Sequence, residues 1–224
     1  RVLFRSGAGK LAREIDWQRQ YLLCRIQTAD GRAAEALAGT TNLVALSIAL
    51  GGGKNLAEAV RFQAATLEGL GRFSEAAAVF EKNLATNAPP EFRRTALLKS
   101  IELTIKQEKT AEAIQKIEAF IAQNPQDAAA DVALFTLGEM RLKEYYRVRD
   151  ARVLKPTPEL LTAETNLLAK AQSGFEQLIK DFPKGALAGK SFLNLGWCFW
   201  NQDKIAESQV AFREAAQRLP TSED

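Results

Sequence analysis

Histidine is absent from all 224 residues. Its absence removes Ser-His-Asp and Cys-His catalytic pairs, HExxH-type zinc sites and imidazole general bases, and most hydrolase mechanisms go with them. Cysteine is almost absent: Cys24 and Cys198 stand alone in apolar helical stretches, with no CxxC to hold metal or run redox exchange. Their surroundings read as those of small buried hydrophobes, and the spacing leaves a disulfide between them open. An excess of one charge is lacking too. Lys plus Arg number 30 against 27 Asp plus Glu, and a net +3 is too small for the electrostatic footprint of a nucleic-acid binder. The longest apolar runs, such as LVALSIAL at 43–50, fall short of the roughly 20 residues that span a bilayer. What is present, 46% hydrophobic and 25% charged residues, is the composition of an ordinary folded chain.

Against these absences stands a repeat. Four segments align: SEAAAVFEKNLATNAP, AEAIQKIEAFIAQNP, AKAQSGFEQLIKDFP and AESQVAFREAAQRLP. In each, a small residue (Ala76, Ala113, Ala171, Ser208) precedes by four a bulky apolar one (Phe80, Ile117, Phe175, Phe212). Another apolar or small residue follows four later (Leu84, Ile121, Ile179, Ala216), and a proline closes the segment (Pro89, Pro125, Pro183, Pro220). Such spacing places three residues on one helix face, and the proline stops the helix. The period is 113 − 76 = 37 positions, and the same 37 separates Ala171 from Ser208. The middle interval, 171 − 113 = 58, is one period plus 21 inserted residues. Each of these four helices, and the one at 33–49, follows another amphipathic one that carries a small or modest residue at one point (Cys24, Ala64, Gly138, Gly196, less cleanly Ile101), where two helices must approach closely.

These columns resemble the tetratricopeptide repeat: a small residue at the eighth position, a turn that is often glycine (Gly31, Gly71), then Glu-Ala, an aromatic four later, and a closing proline. The copy SFLNLGWCFWNQDKIAESQVAFREAAQRLP follows the pattern best, although Ser208 replaces the usual Ala, Asp203 the turn Gly, and the period exceeds the usual roughly 34. The longer period and the linker DFPKGALAGKSFLNLGW resemble the bacterial envelope variety, that of the Tol-Pal cell-division coordinator and the outer-membrane-assembly lipoproteins. The resemblance implies an all-α fold, a right-handed α-α superhelix or solenoid of about five helix pairs. Repeats are expected near 14–50, 55–89, 92–125, 128–183 (with the insertion at about 145–166) and 186–220. The first copy is degenerate, with Thr40 where an aromatic is expected and no closing proline.

The insertion reads as two lengthened helices joined by a short loop around Val153 to Pro156. Thr157, Pro158 and Glu159 form a helix start with an N-cap and a proline at the first position. Arg147, Arg149, Arg152 and Lys155 against Asp150 make its tip basic, either a solvated surface or a docking site for an acidic partner.

Two Gly-Lys stretches invite a nucleotide reading and fail it. GAGK is followed by Leu11 and GGGK, at 51–54, by Asn55, so neither supplies the Ser or Thr that holds magnesium in a phosphate-binding loop. Asn55 with Glu58 reads instead as a capping box opening the next helix. Acidic residues such as Glu75, Glu112 and Glu207 recur once per repeat, as a structural role requires. No metal or cofactor site and no reaction are expected.

The tetratricopeptide resemblance turns Lys190, Asn194, Trp197, Trp200 and Asn201 toward the inner wall of the solenoid, where members of the family hold peptides with Asn side chains and aromatic anchors. The alternative is that further repeats or a second copy cover the two tryptophans as core. Glu139 and Lys143, with Glu102 and Lys106 in an earlier copy, take corresponding positions and are of mixed sign. They do not form the Lys and Asn cluster that clamps a terminal carboxylate in chaperone-binding members. The partner is expected to be a protein or peptide; oligomeric state is left open, and the periplasm or cell envelope is suggested only by the repeat subtype. The opening RVLFRS matches the translation of a sequencing-adapter end, so residues 1–6 are expected to be a non-native leader on a fragment that begins near Gly7.

Overall fold

The computed structural model describes the backbone of residues 2–85 and 87–219 and the side chains of 12–85 and 87–219. Pro220 and the side chains of the expected leader lie outside the described residues. Among those described there are ten α-helices and no strand: α1 (Val2–Ala29), α2 (Ala33–Ala49), α3 (Gly53–Gly69), α4 (Phe73–Glu81), α5 (Pro90–Lys106), α6 (Thr110–Gln123), α7 (Ala130–Leu154), α8 (Pro158–Asp181), α9 (Ala188–Trp200) and α10 (Ile205–Arg218). The helices follow one another as five pairs. The fourth pair is elongated, to 25 and 24 residues. The chain divides into two compact units, one through Ala113 and one from Ile114. In the first, α1 packs on α2, α2 on α3, α3 on α4 and α4 on α5. In the second, α7 packs on α8, α8 on α9 and α9 on α10, and α7 also touches α9.

One turn recurs in four of the pairs. Its left-handed residue is Gly31 (φ 76°), Gly71 (φ 73°), Glu108 (φ 63°) or Asp203 (φ 58°). The backbone N–H of that residue donates three residues back, and the next N–H donates five back: Gly71 to Glu68 and Arg72 to Leu67, or Asp203 to Trp200 and Lys204 to Phe199. Carbonyls left open at the helix end are thereby satisfied. The residue after the turn then pairs with the glutamate three further on, as in Arg32 with Glu35, Arg72 with Glu75 and Lys109 with Glu112. That pairing accounts for most of the recurring acidic column.

In the fourth and fifth hairpins the small residue of one helix receives the bulky residue of the other. A Cβ on Gly138 would lie 2.6 Å from Phe175 Cε1, and one on Gly196 would lie 2.5 Å from Phe212 Cδ1. Phe175 is fully buried, in a core with Leu142, Tyr145, Leu168, Leu195 and Cys198. The first unit has an equivalent core of Ala64, Leu67, Ala76, Phe80, Ala96 and Leu103. In the degenerate first copy Thr40 fills the aromatic position, fully buried, its hydroxyl donating to the Leu37 carbonyl at 2.6 Å.

Two local expectations change. Asn55 does not cap α3: the helix begins two residues earlier behind Gly52, because the glycines at 51–53 all adopt positive φ, and the Asn55 carbonyl accepts from the Ser47 hydroxyl at 3.1 Å. The second helix of the second repeat ends at Glu81 and tightens into a 3-10 turn over Lys82–Leu84, well before Pro89. There the buried Asn83 donates to the Ala57 carbonyl at 2.8 Å, and Pro89 and Pro90 open α5 instead of closing the earlier helix. Cys24 and Cys198 are both free and buried.

Candidate functional site

The elongated pair starts as its sequence dictates. Thr157 is extended (φ −137°, ψ 152°) and its hydroxyl accepts from the Leu160 N–H at 3.2 Å, with Pro158 at the first helical position. The loop between α7 and α8 shrinks to Lys155–Thr157. Because α7 runs so far past Gly138, its second half reaches the C-terminal end of α9, where polar contacts form beside the shared apolar core.

Near the start of α9, Glu139 of α7 meets Asn194 and Lys190. Desolvation pushes the Glu139 carboxyl above the ordinary carboxylate range, while the Asn194 amide and the Lys190 charge pull it back. Near its end, Asn201 is held on three sides. Its Oδ1 accepts from Arg149 Nη1 at 3.1 Å, and its Nδ2 donates to the Trp197 carbonyl at 2.7 Å and to the Tyr146 hydroxyl at 3.1 Å. Arg149 lies over the Tyr146 ring, 4.8 Å from its centroid. Five of the expected wall residues therefore fall into two clusters: Glu139 with Asn194 and Lys190, and Asn201 with Trp197. Lys143 is exposed.

The tryptophans stand in solvent. Trp197 is 44% and Trp200 52% exposed, and Leu193, which the sequence reading passed over, is 37% exposed. The three lie at i, i+4 and i+7 on α9, a spacing that could have revealed the stripe. One edge is fixed: the Trp197 ring meets Phe212 of α10 edge-on, with centroids 5.2 Å apart. Comparable positions in the first unit are occupied by their own chain. Glu102 pairs with Lys99, which also reaches Glu68, and the Lys106 ammonium sits 4.2 Å from the centroid of the Phe73 ring.

The basic residues of the insertion are mostly engaged. Arg147 pairs with Glu144 at 2.5 Å, Arg149 bonds Asn201 and approaches Asp150 at 3.4 Å, and Arg152 forks onto the buried Glu164 across the hairpin. Lys155 is exposed. The apex beside it is apolar, with Val153 68% and Leu154 87% exposed. Among the described residues no group of His, Cys, Asp and Glu is placed to hold a metal ion, and no helix is long and apolar enough to cross a membrane.

Five successive helical hairpins, four of them joined by the same turn and the last two built on a glycine facing a phenylalanine, make this a tetratricopeptide-repeat protein. The sequence profile of the YfiO family, described as an outer membrane lipoprotein, matches residues 62–193. That is more than half of the chain, and the chain belongs to this family. None of the curated proteins matches it. Among solved structures, a monomeric mutant of IFIT1 with Gppp-AAAA is similar at a TM-score of 0.55 and 12% identity, over 83% of this chain and 37% of that one. The chain thus spans 37% of the IFIT1 chain it resembles. The MamA protein gives a TM-score of 0.52 at 13% identity, over 90% of this chain and 91% of that one. A MamA from Desulfovibrio magneticus RS-1 gives 0.50 at 17%, over 93% and 97%. At such identities the likeness is one of fold. Fold and family together define a protein-interaction scaffold.

Proposed function

We propose that this scaffold binds a partner protein or peptide along α9 and the adjoining face of α7, without catalysing a reaction. The observation that carries the reading is the exposed stripe of Leu193, Trp197 and Trp200, flanked by the polar groups of Lys190, Asn194, Glu139 and Asn201. Tryptophans at about half exposure supply large anchor area at low cost in side-chain entropy, and the polar neighbours supply orientation. Spacing at i, i+4 and i+7 suits a helical or extended segment laid along α9. The YfiO match supports a place in bacterial envelope assembly, with the periplasmic side of a membrane as the setting.

A second reading keeps the scaffold but removes the ligand: the stripe is covered by neighbouring repeats of a longer protein. The edge-on packing of Trp197 against Phe212 favours it, since one side of the ring already behaves as core. The double variant Trp197→Ala, Trp200→Ala separates the two. Partner binding predicts an unchanged thermal melt together with loss of the partner in a pull-down from envelope extract. The structural reading predicts a lowered melt.

A further inference from the structure

Beside the elongated hairpin lies a cavity of about 220 Å³, lined by Tyr145, Leu161, Glu164, Leu168, Asn201 and Gln202 among others. Its walls come from the insertion, through Tyr145, Leu161 and Glu164, and from the turn after α9. The floor is apolar, with Tyr145 3% and Leu168 6% exposed. Leu161 lines the cavity with half of its surface still in solvent.

The polar groups around it already have partners within the chain. Glu164 accepts both bonds of the Arg152 fork, Asn201 joins Arg149, Tyr146 and the Trp197 carbonyl, and Gln202 donates to Gln172 at 2.6 Å. A ligand is therefore not asked to supply hydrogen bonds, and a cation entering here would have to compete with Arg152 for Glu164. Burial pushes the Tyr145 hydroxyl up, as a water-poor site does. The volume is below the roughly 300–1,000 Å³ of small-molecule and cofactor sites. It suits a single large side chain. The cavity also adjoins the tryptophan stripe, because Asn201, the residue after Trp200, lines it and bonds the Trp197 carbonyl.

We infer that this cavity receives one aromatic or branched aliphatic side chain, of the Phe or Leu class, from the partner segment that lies along α9. The inference rests on the partner-binding reading and adds a specificity pocket to it. A segment anchored on the tryptophans would place its next apolar residue in the cavity, and a charged residue at that point would be refused.

The test uses the full chain, isotope-labelled, with N-acetylphenylalaninamide and N-acetylleucinamide as probes and N-acetyllysinamide and N-acetylglutamic acid amide as controls. The expected result is saturable movement of the amide signals of Leu161, Thr165, Ala169 and Gln202 with the apolar probes. Their affinity should exceed that of the charged probes by about tenfold or more, as burial of one apolar side chain implies. Ala169→Trp, a bulky side chain placed at the exposed cavity wall, should abolish the movement with the helical circular dichroism intact. Absence of saturable movement in the wild-type chain, or equal affinity for the lysine probe, would overturn the inference. The Trp197→Ala, Trp200→Ala variant should still bind the apolar probes. A double variant that keeps its partner, or whose melt falls, while the wild-type chain still binds the apolar probes overturns the partner-binding reading alone, whereas partner loss in that variant with no saturable probe binding to the wild-type chain overturns the cavity inference alone.

Discussion

Phe175 occupies the space that a side chain on Gly138 would need, and Phe212 does the same to Gly196. Replacing a helix-interior glycine by alanine gains roughly 1 kcal/mol of helix propensity, while overpacking a core costs about 1–3 kcal/mol. The sign then depends on whether the ring can move. Phe175 is fully buried and cannot, so Gly138→Ala should destabilise the protein by about 1–2 kcal/mol in urea titrations. Phe212 is only partly buried, so Gly196→Ala should be nearly neutral, its ring shifting outward and changing the emission of the neighbouring Trp197. The column was legible at Gly138 and Gly196, where an aromatic ring leaves no room for a Cβ, while Cys24, Ala64 and Ile101 stand at the same place in the other copies. The cysteines give a second test at this scale. Burial pushes the Cys198 thiol up to about 12, and Cys24 is raised by the same cause. At pH 8 the Cys198 thiolate is then roughly one part in ten thousand. Ellman's reagent should find no fast thiol in the native protein and two after denaturation. By contrast, nothing in the sequence pattern announced that Asn201 would join Arg149 and Tyr146, since those contacts cross more than fifty residues.

At the scale of elements, the repeated turn sets the hairpins, and its left-handed residue differs in cost from copy to copy. Glycine at 31 and 71 adopts positive φ freely, Asp203 tolerates it, and Glu108 is the least suited. Relieving that strain is offset in part by the greater unfolded-state freedom of glycine. Glu108→Gly should therefore stabilise by about 0.5–1 kcal/mol, read as a higher urea midpoint at unchanged slope, and Asp203→Gly should do little. The lengths of α7 and α8 were readable from the 21 extra residues and from the Thr157-Pro158 start, because an N-cap and a first-turn proline act locally. The early end of α4 was not. It follows from Asn83 turning inward to the Ala57 carbonyl, a contact made only once α3 and α4 are packed. The cap at Asn55 failed for a related reason: three successive glycines let the chain turn sooner than a side-chain cap would require.

For the molecule as a whole, the exposed stripe of Leu193, Trp197 and Trp200 is where the apolar pattern outruns the core available to it. Whether the double tryptophan variant keeps its melt while losing its partner is the decisive measurement at this scale, because a folding defect and a binding defect predict opposite results. Recurring columns identified the all-helical class and the five pairs, since each repeat must bury one face of each helix and only a few residue types fit the contacts. The missing histidine removes imidazole chemistry by composition alone. Tertiary structure decided what depends on distant partners. It tied Arg149 and Arg152 of the basic insertion into Asn201 and Glu164, left Val153 and Leu154 bare at the apex, and opened a cavity between the insertion and the turn after α9. Periodicity is a property of neighbours along the chain and is written in the sequence. Exposure, pairing and cavities belong to neighbours in space, and they exist only after the helices have packed.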